Sequence, residues 1–390
     1  MTTKLALAGL ATLLVTGCTL SDESSIGSSE SDVIQPEVGV MLASHCDIDD
    51  PDTELEHYVK SAFLKNDGIP LPDWIRPPLS DLAYQLSYDT VRSQYDQIGA
   101  THYRKNAMLQ VNAATKALRA RGINGKAYLG CDFTNPSIPA ALDAMRKDGV
   151  RKIVMFNKGA QYSLATGGEH MQDAAEYLKH HPDWKPEVLM VKEFSSDQRF
   201  RKLLGDVIER DVKASFPGAN SKDVCILVAS HGLPLRMVEE GDPATHQMQE
   251  VVTVLKERFA SYDLRHGYLN DDFFPGAEWT TPKANDVAWE LRKESCPNVF
   301  MDGRLSFTTH HRATLYDLDV EARAVLEEPD LQPNGEPHPL YQAPRIVFGQ
   351  NFDAEPGLAN LYAELTTEAL GGELGDNVVA VTATAPIPIR

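Results

Sequence analysis

The sequence predicts an α/β protein with two similar, doubly wound domains, each built on a parallel sheet. Three observations point there. Residues 38–46 (VGVMLASHC) and 225–232 (CILVASHG) are near-copies, unbroken apolar runs that end in Ser-His. Such runs suit strands covered on both faces, which helices on either side of a parallel sheet provide. Each is followed, after helical stretches, by a second short apolar run, 151–156 (RKIVMF) and 298–301 (NVFM). Strand, helix, strand in both halves is a Rossmann-like plan, and it places ligands beyond the carboxyl ends of the strands. His45 and His231 stand at those ends.

The elements follow in order. Residues 1–17 read as a lipoprotein signal: Lys4 gives a positive start, 5–15 is an uncharged Leu/Ala-rich run too short to span a bilayer, and Val15-Thr16-Gly17 precede Cys18. Cys18 is then the acylated new N-terminus, and Thr19 after it resembles outer-membrane sorting. Residues 18–35, with SDESSIGSSESD at 21–32, read as a flexible tether. The expectation is a body lipid-anchored in the cell envelope, at the outer membrane facing the periplasm.

The roughly 350 residues that remain exceed what one core usually organises. They divide into an N-terminal domain, 36–185, completed by 355–390, and a C-terminal domain, 186–354. Helices are predicted over 138–147, started by Asn135-Pro136-Ser137, and over 286–294. Pro-rich 69–78 and 329–344 are loops. A further helix is expected to start at Thr308 or Thr309 and run to Glu328, which would put His310 and His311 in its first turn.

A formal charge of −19 argues against nucleic acid as a partner. Cys46, Cys131, Cys225 and Cys296 are scattered without a CxxC pair, so no iron–sulfur cluster is expected. Disulfides are open in an exported protein; Cys225, inside an apolar strand, reads as a buried free thiol.

Several motifs occur in one order. Gln161-Tyr162-Ser163 is followed by Ser230-His231-Gly232-Leu233-Pro234-Leu235 and VEEGDP at 238–243. Trp279 with Pro282 and TLYDLD at 314–319 come next, and YVKSAFLKNDGIPLP occupies 58–72 near the start. On these the chain resembles the ferrochelatase family over about residues 38–370. The resemblance implies a tetrapyrrole cleft between the domains, protoporphyrin or haem as partner, and ferrous iron or another divalent metal as substrate. It makes His231 the proton acceptor and a metal ligand, because histidine titrates near working pH and ligates iron. It places Phe63, Leu64, Ile69, Leu71, Tyr162, Ser163, Leu233, Pro234 and Trp279 against the porphyrin.

One motif departs from the family. Where ferrochelatases carry Ser-Asp-His-x-Glu before the TLY helix, this chain has Thr309-His310-His311-Arg312-Ala313, so the second catalytic group is alanine. Asp132-Phe133 likewise replaces an Arg-Tyr pair. His311 is expected as a catalytic partner, and His310 and His311 as additional metal ligands; Asp271, Asp272 or Glu278 are candidates for the missing carboxylate. Metal insertion is the leading expectation. Iron removal from haem and non-catalytic haem or porphyrin binding are the alternatives.

Overall fold

The computed structural model describes residues 35–66, 69, 71–270, 278–329 and 342–384. The signal segment, Cys18 and most of the tether lie outside the described residues, as do Asp271 and Asp272. No helix among the described residues is long and apolar enough to cross a membrane.

The first half runs β1 (Val38–Ser44), α1 (Pro51–Lys65), α2 (Arg76–Ile98), α3 (Tyr103–Ala120), β2 (Gly125–Cys131), α4 (Ile138–Lys147), β3 (Lys152–Asn157), α5 (Glu169–His180) and β4 (Glu187–Val191). Connector α6 (Gln198–Ser215) leads to β5 (Val224–His231), α7 (Leu235–Glu239), α8 (Ala244–Arg258), β6 (Asp263–Leu269), α9 (Ala284–Lys293) and β7 (Asn298–Asp302). A π-helix, Ala313–Ala322, continues into α10 (Arg323–Glu327), followed by β8 (Arg345–Phe348), α11 (Pro356–Gly371) and β9 (Val378–Ala380). Local chemistry explains the starts: Ser137 caps α4 through the Ala140 amide at 3.2 Å, and Asp50 caps α1 ahead of Pro51.

Among the described residues the strands form two sheets, ordered β2-β1-β3-β4-β9 and β6-β5-β7-β8. All pairings are parallel except β4 with β9. Both sheets reverse strand order at the same point, beside β1 and beside β5, so these strands are topological equivalents. The fold is therefore the expected doubly wound pair. Both sheets belong to one compact unit, Gln35–Arg390. Val40 and Leu42 of β1 share a core with Ile226 and Val228 of β5, Phe200 of α6 and Tyr362 of α11. The opposite faces are covered separately, Met41 and Met155 by Leu142, and Leu227 and Met301 by Leu291. Two-sided cover is why these strands carry so little polar sequence.

Three expectations are corrected. The division expected at 185/186 falls before β4, yet β4 pairs with β3, so the first sheet extends to Val191 and takes β9 from the C-terminal segment. Cys225 is no free thiol: it is bonded to Cys296, and Cys46 to Cys131. Each pair links neighbouring parallel strands of one sheet, at β5/β7 and β1/β2. The helix expected from Thr308 begins at Arg312–Ala313, because the two threonine hydroxyls are buried against other side chains instead of capping it.

Candidate functional site

The carboxyl ends of β1, β3 and β5 open into a cleft of about 280 Å³, lined mostly by apolar side chains. Tyr58, Val59 and Phe63 of α1 form one wall with Ile69; Leu233, Pro234, Met237, Met248 and Trp279 form another. Buried Arg76 shapes the lip by donating to the carbonyls of Leu71 (2.9 Å), Ile69 (3.0 Å), Leu64 (3.2 Å) and Asn66 (3.2 Å). Of the side chains expected against a flat ring, Phe63, Ile69, Ser163, Leu233, Pro234 and Trp279 line the cleft. Leu64, Leu71 and Tyr162 do not. Leu64 is exposed, one residue off the inward face of α1, and Tyr162 packs into the core beneath the first sheet.

His231 closes β5 at the cleft wall. Its Nδ1 lies 2.6 Å from the carbonyl of Gly232, which only accepts, so Nδ1 carries a proton and, in the neutral ring, Nε2 the lone pair. Its backbone amide donates to Ser306 Oγ at 3.0 Å, and its ring meets Phe307 edge-on at 6.0 Å and Trp279 at 6.3 Å. Gly232 must be glycine: a Cβ there would run into the side chains of Asn270 and Thr280. The preceding Ser230 hydroxyl is held at 2.8 Å by His266 Nε2.

The second motif is arranged otherwise than expected. His310 and His311 precede the helix. His310 faces away from the cleft, stacked on Phe348 with Nε2 2.8 Å from the Gly349 carbonyl, and burial pulls its pKa down to about 4. It is therefore no cleft ligand. His311 does line the cleft, edge-on to Phe307 at 4.1 Å, but its Nδ1 accepts the Ala313 amide at 3.1 Å. A neutral His311 thus carries its proton on Nε2, a hydrogen-bond donor and not a metal ligand. Ala313 lines the cleft at 2% exposure, with no carboxylate of its own. Glu278 is exposed and does not line the cleft.

Two features bind the motifs together. Asp242 of the VEEGDP segment accepts Ser163 Oγ at 2.6 Å and the Leu164 amide at 2.8 Å, joining that segment to QYS. Lys158, buried after β3, donates to Thr309 Oγ1 at 2.8 Å and to Gln110; burial lowers its pKa to about 7.

Opposite this lies a group that motif reading passed over. His45 follows β1 as His231 ends β5. Its Nε2 lies 3.6 Å from Asp132 Oδ2 and 3.5 Å from Glu169 Oε2, while His170 Nε2 lies 2.8 Å from Asp132 Oδ2. Phe133 stacks on the His45 ring at 4.3 Å. Burial draws His45 down to about 4 against the opposing pull of Asp132, with His170 and His231 adding to the lowering. The Ser-His repeat and the unusual Asp132 were the only sequence signals for this group; His170 had none.

The ferrochelatase family model matches residues 37–339. The chain belongs to the ferrochelatase family. It is 26% identical over 329 residues to Ferrochelatase-2, chloroplastic, of Hordeum vulgare, covering 81% of this chain and 66% of that protein, so it spans about two thirds of that relative's length. It is 26% identical over 298 residues to the ferrochelatase of Gloeobacter violaceus, covering 75% of this chain and 88% of the relative. Among solved structures it is similar to SirB from Bacillus subtilis with Fe3+, with a TM-score of 0.50 at 11% identity over 87% of this chain and 98% of that one, a likeness of fold. Against the ferrochelatase pattern, His231 and its flanks are retained, while Ala313 and Asp132 are changes. His231 and Ala313 line the cleft, and Asp132 lies behind its wall.

Proposed function

We propose that this ferrochelatase-family chain is a tetrapyrrole metal chelatase that inserts ferrous iron, or another divalent metal, into protoporphyrin held in the cleft. The observation that carries the reading is His231 at the wall of the apolar cleft, its Nδ1 held by the Gly232 carbonyl. Insertion removes two pyrrole protons, and a neutral imidazole with its lone pair on Nε2, at the wall of an apolar cleft, is suited to accept them in turn and pass them to water. The same nitrogen can ligate the metal substrate. The apolar walls suit a large flat ring.

Ala313 favours a second reading, in which the site removes iron from haem or holds haem or porphyrin without turnover. On the lipoprotein reading of residues 1–17, with the tether at 18–35, the protein lies outside the cytoplasm, a reading that two disulfides support as bonds of an oxidising compartment. There the chain would meet tetrapyrrole arriving from outside. Separate incubations decide the direction. Protoporphyrin with ferrous or zinc ion should give metalloporphyrin absorbance; free porphyrin fluorescence appearing from haem would assign the reverse reaction. A shifted haem band without turnover would assign binding alone.

A further inference from the structure

We propose that His45, Asp132 and His170 form a second metal site, for a divalent first-row cation of the ferrous-iron type, on the wall of the cleft that belongs to the first sheet. The role assigned below rests on the tetrapyrrole reading; the site itself does not.

Topology supplies the first argument. β1 and β5 are equivalent strands at the switch points of their sheets, so His45 occupies in the first half the place His231 occupies in the second. The first half then adds donors. One ligand atom from each of His45, Asp132 and His170 lies within 4.8 Å of the others. Donors bound about 2.1 Å from one ion lie roughly 3 to 4 Å apart, and the separations of 2.8 Å and 3.6 Å about Asp132 Oδ2 fall in or beside that range.

The second argument is unmet bonding. Asp132 Oδ1 and His170 Nδ1 are buried without a hydrogen-bond partner, at 5% and 0% residue exposure, while Asp132 Oδ2 and His170 Nε2 meet each other at 2.8 Å. Buried polar atoms are almost always paired, and each left unpaired costs about 1–3 kcal/mol. A cation would satisfy the carboxylate and one imidazole nitrogen together. His45 Nε2 now meets the Ala165 carbonyl at 2.7 Å, so ligation through Nε2 moves that ring proton to Nδ1.

The donor chemistry selects the metal. Two imidazoles and a carboxylate, with Glu169 nearby as a second carboxylate, suit ferrous iron, cobalt(II) or zinc. Copper(I) would want sulfur, and the adjacent Cys46 and Cys131 are consumed in their disulfide. Because His45 lines the cleft while Asp132 and His170 sit behind it, the ion would stand between the protein interior and a bound ring. The site is a holding post for the metal before insertion, or after removal.

Titration of the purified full chain with Co2+, without tetrapyrrole, tests this. One saturable equivalent with visible d–d absorption is expected, retained in His231→Ala and weakened at least roughly tenfold in Asp132→Asn and His170→Ala. His45→Gln, at a partly exposed position, should weaken it similarly and guards against misfolding of the buried variants. No saturable binding by the wild-type chain, or folded variants that bind as tightly as wild type, would overturn the proposal. Protoporphyrin binding, measured apart, distinguishes the two readings: Co2+ bound without porphyrin affinity keeps the site and sinks the chelatase function, and the reverse result does the opposite.

Discussion

Cys46 is bonded to Cys131 across the ends of β1 and β2, and their chain neighbours His45 and Asp132 are thereby held with 3.6 Å between Nε2 and Oδ2. Cys46 itself is in the left-handed region, φ 59°, a conformation that costs a non-glycine residue about 1 kcal/mol and that the crosslink helps maintain. The disulfide thus does two things: it restrains the unfolded chain, and it fixes the spacing of two donors.

Cys131→Ser should therefore cost roughly 2–5 kcal/mol in denaturant unfolding and weaken Co2+ binding as well. Cys296→Ser, which opens the other disulfide far from His45, should cost comparable stability and leave Co2+ affinity unchanged. Equal losses of Co2+ affinity in both variants would contradict the local role of the first bond.

Asp242 is a purely architectural carboxylate on this account. It accepts Ser163 Oγ, the Leu164 amide and, at 3.0 Å, the Ala244 amide, all in a buried setting. Asp242→Ala should lose about 3 kcal/mol or more because three donors are left without an acceptor. Asp242→Asn, which keeps one oxygen, should lose less. Thermal unfolding of both variants checks the order.

Lys158 gives stability a pH slope. Its folded pKa is lowered to about 7 from the ordinary 10.5, so between those values the unfolded chain holds a proton that the folded chain has released. Stability contributed by this group accordingly rises with pH across that window and is smallest below it. Denaturant unfolding at several pH values should show a shallower rise for Lys158→Met than for wild type. Parallel curves would rule the assignment out.

Ala313→Glu returns a carboxylate to the cleft wall. Zinc insertion should speed up about 100-fold, at the low end of what general acid–base groups contribute, with some loss of melting temperature from burying the acid. An unchanged insertion rate in a folded variant would show that the missing glutamate does not limit turnover.

The fold was legible because its determinants are local. Strands buried on both faces need apolar runs, and the Ser-His repeat exposed the equivalence of β1 and β5 before any contact was known. α4 was legible for the same reason, through Ser137 and the proline after it. What failed depends on distant partners. The disulfides join residues 85 and 71 positions apart, and nothing local marks either pair. Thr308 and Thr309 have the chemistry of helix caps, but Gln110 and Lys158 engage their hydroxyls, so the helix starts later and His310 turns away from the cleft into a buried contact with Phe348. Phe63 and Ser163 line the cleft while their neighbours Leu64 and Tyr162 do not, because a motif marks a segment and only packing decides which side chain faces the cleft. His170 was hidden altogether: without Asp132 beside it, it is one more residue of an amphipathic helix.

In the proposed function, His231 moves protons from a tetrapyrrole held in this cleft. The most direct test follows protoporphyrin absorbance with zinc ion for the wild-type chain and for His231→Ala. The account predicts metalloporphyrin formation by wild type, slowed by a factor of about 100 or more in the variant, with protoporphyrin affinity preserved. Insertion at the same rate in both proteins, or no binding of protoporphyrin by either, would contradict it.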